Sequence, residues 1–220
     1  ELSEAEYNLY TKTKEYTDFR EETSESRYPE IIKNIALIYA QLGDNEKAME
    51  AVKLARKEDP KDLNLILTEA NLYIQLKESD RFEDLMKEAI TQDPNNATLY
   101  FNLGVVNAQN GNSEEAKSYY KKTIELDPNL ESGYLNLVSL ILEGESSIVE
   151  EMNGLGTSRA DNARYDELKE TRENLYKECV PILEKLVEIN KNQEAISTLM
   201  NIYGTLGNND GFKRMKELVE

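Results

Sequence analysis

Along most of this chain apolar residues return every three or four positions for about a dozen residues, stop at a polar or glycine turn, and then resume. Ile32, Ile35, Ala36 and Tyr39 form one such stripe, Gly43 and Asp44 a turn, and Ala48, Val52 and Ala55 a second stripe. The pattern repeats with Ile66, Ala70 and Tyr73, then Phe82, Met86 and Ala89. It returns with Tyr100, Leu103 and Gly104, then Gly111, Ala116, Tyr120 and Ile124. Each pair of stripes predicts a helix hairpin. Asn112 and Glu115 have capping-box spacing at the start of a second helix. Pro60, Pro94 and Pro128 each follow an Asp and stand 34 residues apart, and proline disfavours helical geometry in the residue before it, so each Asp-Pro ends one helix and opens another.

A fourth unit opens at Glu131 with Tyr134, Leu137, Val138 and Ile141, after which the register is lost. It resumes with Ile196, Leu199, Met200, Tyr203 and Gly207, followed by Phe212, Met215 and Val219. The intervening stripe of Tyr165, Leu168, Arg172, Leu175, Cys179, Ile182, Leu186 and Ile189 predicts one helix of about 25 residues, roughly 37 Å long, with Pro181 bending it. Gly154 and Gly156 are expected to supply tight turns before it, with Asp161 or Asn162 as its cap. Ile148, Val149, Met152 and Leu155 are expected to pack against it. As a nucleotide loop Gly154-Leu-Gly156 fails, because Arg159 stands where a third glycine belongs and no strand precedes it. The Asp161 to Glu170 stretch lacks the central glycine and alternating oxygens of a calcium loop.

These residues resemble the tetratricopeptide repeat, closely over residues 29–143 and more loosely over 179–219. The resemblance implies an all-α, right-handed solenoid of helix hairpins, with a long inserted helix in the fourth. Its boundaries are expected as an irregular lead-in at 1–28 and a solenoid at 29–220. The repeats fall at about 29–62, 63–96, 97–130, 131–192 (insertion 146–178) and 193–220. Glu69, where the family has leucine, must reach solvent or a partner, and Phe82 replaces a small residue. The wording of the insertion and of TLMNIYGTLG is similar to exported bacterial proteins of this family, which implies a periplasmic location with a signal peptide removed; a cytoplasmic one is the alternative. Tyr7, Tyr10 and Tyr16 are expected to cover the edge of the first hairpin.

With 43 acidic and 26 basic residues the net charge is −17, which repels nucleic acid and anionic membranes and favours a neutral or basic protein partner. The chain has no histidine and one cysteine, Cys179. That removes the usual general base, the usual zinc sites and any internal disulfide. No apolar run is long enough for membrane insertion. No catalytic residue, cofactor or metal is expected, and the reading is not an enzyme.

In the repeat, side chains of the first helices that avoid the packing stripe face the concave groove. Leu67, Phe101 and Leu135 form an apolar row there. Beside it stand Lys33, Leu37, Gln41, Asn71, Gln75, Asn102, Val105, Gln109 and Asn136. Side-chain amides donate to and accept from a peptide backbone, so apolar pockets beside an amide ladder suit a peptide with apolar anchors. The family's carboxylate clamp is incomplete, since Lys33 matches but Thr98 and Ser132 occupy basic places. The expected function is a protein-interaction scaffold that binds a peptide or partner segment. The alternative is a structural module, a homo-oligomer whose groove or end faces are filled by its own copies or its own insertion.

Overall fold

The computed structural model describes residues 28–219, so most of the lead-in, including Tyr7, Tyr10 and Tyr16, lies outside the described residues. These residues form eleven helices and no strand. The chain divides into two compact units, the first ending at Pro60 and the second beginning at Lys61.

In the first unit α1 (Tyr28–Gln41) and α2 (Asn45–Glu58) form a hairpin. Gly43 takes the turn with φ +75, a value that L side chains rarely adopt. Asp44 then caps α2 by accepting from the Lys47 amide at 3.3 Å. Ile32, Ala36, Ala48, Val52 and Ala55 are buried. Ile35, expected in this stripe, is 40% exposed instead. It lies on a different face of α1, shared with Ile31, Ile38 and Leu42, and those side chains are exposed too.

The second unit begins with α3 (Leu63–Gln75) and α4 (Ser79–Gln92), continues with α5 (Ala97–Gln109) and α6 (Ser113–Leu126), and reaches α7 (Glu131–Ile141). Asp62 and Asn96 cap α3 and α5 through their side chains. Neighbouring elements pack in order: α3 on α4, α4 on α5, α5 on α6, and α6 on α7. One apolar cluster joins Ile66 and Ala70 of α3, Phe82 and Met86 of α4, and Leu99, Leu103 and Val106 of α5. A second runs from Ala116 and Tyr120 through Leu137 and Val138 to Leu183, Leu199 and Met215. This is the helical solenoid that the repeat implied.

Small residues set how closely the helices approach. A Cβ on Gly104 would lie 2.6 Å from the Tyr120 ring, so α5 touches α6 there with no space to spare. One on Gly133 would lie 2.8 Å from Ile124, which fixes α7 against α6. Glu69 is buried, 7% exposed, and is not without a partner. The capping box expected at Asn112 does not form. Its amide instead donates to Asn107 Oδ1 at 3.2 Å, and that buried asparagine in turn donates to the Leu103 carbonyl at 3.0 Å.

The interruption is a helix pair rather than a loop before one helix. α8 (Glu145–Gly154) leads into α9 (Arg159–Asn190), which runs 32 residues with Pro181 inside it. α10 (Gln193–Leu206) and α11 (Asn209–Glu217) complete the chain, α10 packing on α9 and α11 on α10. α9 starts earlier than its apolar stripe because Ser158, not Asp161 or Asn162, is the cap. Ser158 accepts from the Asp161 amide, and the Asp161 carboxylate accepts from the Ser158 amide, each at 3.1 Å. Neither Gly154 nor Gly156 has a positive φ. Gly156 instead leaves room for that cap, since a Cβ there would meet Asp161 Oδ2 at 2.9 Å. Val219, placed in the last stripe by its spacing, is 54% exposed just beyond the end of α11.

Gly104→Ala is expected to destabilise the protein by about 1–3 kcal/mol, because the added methyl overpacks a buried ring. Urea unfolding followed by circular dichroism measures it; a change below about 0.5 kcal/mol would mean that α5 and α6 can separate freely.

Candidate functional site

Charge is divided between the two kinds of helix. α5 has no charged residue, α3 only the buried Glu69, and α7 only Glu131 in its first turn. Their partners carry it instead: Asp80, Arg81, Glu83, Asp84, Lys87 and Glu88 on α4, and Glu114, Glu115, Lys117, Lys121, Lys122 and Glu125 on α6. The first helices are therefore electrically quiet although the whole chain is strongly acidic.

In the second unit Leu67, Phe101, Val105 and Leu135 are half-buried at the margins of the two apolar clusters. Phe101 is held by Tyr120, with ring centroids 5.9 Å apart and planes tilted by 46°. Asn71, Gln75 and Gln109 are exposed. Asn102 and Asn136 are half-buried, and Asn136 spends one donor on the Ser132 carbonyl of its own helix at 2.9 Å. Lys33, Leu37 and Gln41 stand on α1 in the first unit. There Gln41 is exposed, while Lys33 and Leu37 are half-buried and Lys33 is already engaged.

The insertion has polar joints from α8 to α9 whose partners stand 13 to 31 residues apart, beyond any helical spacing. At its base Glu145 accepts from Arg172 Nε at 2.9 Å and from the Tyr176 hydroxyl. Farther out Arg164 donates Nε to Glu151 at 2.7 Å and Nη1 to Glu167 at 3.1 Å. Ile148, Val149, Met152 and Leu155 are half-buried, and none of α8 is fully buried, so α8 lies on α9 as a light flap. α9 buries Leu168, Tyr176, Cys179, Leu183, Leu186 and Val187. Tyr176 and Leu183 thus replace the expected Leu175 and Ile182, which are half-buried. The shift arises because α9 meets α8 along one part and α7 and α10 along another, so no single stripe serves its whole length.

At the other end Glu184 of α9 binds both the Tyr203 hydroxyl of α10 and Arg214 of α11. Beside them a hollow of about 300 Å³ is lined by Glu184, Val187, Arg214, Met215 and Leu218. Glu188 and Lys191 line it too, its Glu184 and Arg214 already satisfy each other, and its residues come from separate helices, so no sequence signal points to it. Among the described residues no group of three or more His, Cys, Asp or Glu side chains is gathered as a metal ion would need. No helix among them is long and apolar enough to cross a membrane.

The tetratricopeptide-repeat family pattern matches residues 97–130 and again residues 32–62. The chain carries tetratricopeptide repeats at these residues. No curated protein matches the sequence significantly. Among solved structures, a crystal structure of MamA is 17% identical and aligns over 87% of this chain and 90% of its own, with a TM-score of 0.58. A MamA RS-1 ArsTM double mutant is 12% identical over 89% of this chain and 94% of its own, with a TM-score of 0.60. The Yersinia enterocolitica type III secretion chaperone SycD, solved with a peptide of the translocator YopD, is 18% identical. It covers 54% of this chain and 96% of its own, with a TM-score of 0.50. At these identities the likeness speaks to the fold.

Burial pushes the Cys179 thiol up to about 12, helped by the nearby Glu178 and Glu145 carboxylates. Burial, then the hydrogen bond to Glu184, pushes the Tyr203 hydroxyl up to about 12. Both groups are neutral when protonated, so the unfolded chain loses these protons at lower pH than the folded one. The stability they contribute is complete below about pH 8.5 and declines as pH rises towards 12. The urea midpoint is expected to fall between pH 9 and 11, and Tyr203→Phe to remove part of that slope. Cys179 is expected not to react with Ellman's reagent at pH 8 until the protein is denatured; prompt reaction in the folded state would contradict its burial.

Proposed function

We propose that this repeat protein is a non-enzymatic scaffold that binds a peptide or partner segment along the concave wall of its first helices. The observation that carries the reading is the separation of charge from that wall. Half-buried Leu67, Phe101, Val105 and Leu135, with exposed Asn71, Gln75 and Gln109, stand on helices almost free of ionic side chains. Apolar side chains of a partner gain area-dependent stabilisation there, at about 25 cal/mol per Å² buried, without desolvating a charge. The amides satisfy the partner's backbone. SycD supports the reading by fold, since it was solved holding a peptide of another protein.

The partner contacts a neutral wall inside an acidic molecule. A neutral or weakly basic segment with apolar anchors fits both, and a C-terminal carboxylate has no cationic clamp to meet it. Self-assembly through the same wall is the competing outcome, and the repulsion between two chains of net charge −17 opposes it.

Panning a random peptide library on the full chain tests the proposal. Enriched sequences are expected to carry paired large apolar residues, and Asn71→Ala with Gln75→Ala and Gln109→Ala is expected to weaken them at least about ten-fold, the loss of one or two hydrogen bonds. These side chains are exposed, so the fold is expected to keep its circular dichroism spectrum. Enrichment that ignores the substitutions, or a wild-type dimer that they convert to monomer, would overturn the reading.

A further inference from the structure

We infer that the outer face of α1 is a helix-docking surface and that this chain's own residues 1–27 occupy it. The face consists of Ile31, Ile35, Ile38 and Leu42, with exposures of 54%, 40%, 53% and 74%. Their intervals of four, three and four set them on one side of a helix. They are large and aliphatic, and on the first helix of a stacked repeat they have an assigned use.

That use is visible where a first helix and the helix before it belong to the same unit. Two periods along, Leu99, Leu103 and Val106 of α5 are the counterparts of Ile31, Ile35 and Ile38, and are 1%, 0% and 5% exposed. They cluster with Phe82, Leu85, Met86 and Ala89 of α4, the preceding second helix. On α7 the counterpart Leu137 is buried in the cluster that holds Ala116 and Tyr120 of α6. On α10, Ala195, Leu199 and Ile202 have the same four-then-three spacing and are 0%, 0% and 2% exposed, clustered with Leu183, Leu186 and Val187 of α9. In every case a preceding helix covers this face. For α1 none of the described residues does so.

Three properties of the chain select the occupant. Residues 1–27 join α1 directly and are 27 in number, whereas the second helices that do this work elsewhere, α4 and α6, need only 14 each. The segment carries Leu2, Ala5, Leu9, Tyr16 and Phe19, at intervals of three, four, seven and three, which is one apolar stripe by sequence. A second copy would have to bring a further net charge of −17 against the first, whereas an attached segment meets no such cost in association. Covering the face in this way closes the edge of the repeat and leaves the first-helix wall as the surface open to a partner.

Thiol labelling tests this in the full chain, because the buried Cys179 is silent. Ile38→Cys is expected to react with a maleimide at least about ten-fold more slowly than Ser118→Cys on the exposed side of α6, at a rate independent of protein concentration. Adding Leu9→Asp and Tyr16→Asp is expected to bring its rate to within about two-fold of that control. The Ser118→Cys rate and the circular dichroism spectrum in the same background are expected not to change, which separates release of the segment from unfolding. Fast labelling of Ile38→Cys in the otherwise unaltered chain would overturn the inference by showing an open face. Protection that grows with concentration would overturn it in favour of a second copy, and protection that survives both aspartates would assign the cover to another part of the protein.

Discussion

A hairpin of two 14-residue helices cannot bury its own apolar side chains, and the rest of this structure follows from that shortage. Within the second unit one face of α5 packs on its own partner and another on the second helix before it, so the core there is a line of contacts between neighbours. The line holds because small residues stand where backbones approach, Gly104 under Tyr120 and Gly133 under Ile124. With those faces committed to packing, the third face of each first helix is the one left for anything else. The charge stands on the second helices α4 and α6, and α3, α5 and α7 are nearly free of it.

The insertion obeys a different rule. α8 buries none of its side chains fully and is tied to α9 through Glu145, Arg172 and Tyr176 and through Glu151 and Arg164. Exposed ion pairs of this kind contribute little, whereas the half-buried pair at Glu145 sits where the flap joins the solenoid and contributes more. The second half of α9 then does the work of an ordinary second helix, carrying Leu183, Leu186 and Val187 into the main cluster beneath α10. Fold and insertion therefore meet at Cys179, which is buried and chemically quiet.

The repeat was legible because its signals are periodic: three Asp-Pro steps 34 residues apart, and stripes whose buried members Ile66, Ala70, Met86, Leu103, Tyr120, Leu137 and Leu199 lie where the spacing put them. What escaped was local or non-repeating. Ser158 caps α9 through a reciprocal bond with Asp161 that its position within SRAD only hints at, and α8 has too few apolar residues to announce itself. Asn112 turned to the buried Asn107 because an unsatisfied interior amide is costlier than an uncapped exposed turn. Ile35 falls in the first stripe by spacing but lies on another face from Ile32 and Ala36, because intervals of three and four leave two adjoining faces open and only packing chooses between them. Repeat position marks the candidate wall residues in the sequence, whereas the absence of charge around them belongs to the alternation of helix kinds, which only the boundaries of α3 to α7 display.

Adjacent hairpins interlock through matched large and small side chains, and a double-mutant cycle across the α6–α7 contact measures that fit. Gly133→Ala places a methyl against Ile124 and is expected to destabilise the protein; Ile124→Ala, costly by itself, is expected to make room for that methyl. The double variant is expected to be more stable in urea than the sum of the single changes implies, by about 0.5–3 kcal/mol. Strict additivity would mean that Gly133 and Ile124 do not meet, and would contradict the stacking on which the wall and its proposed use both depend.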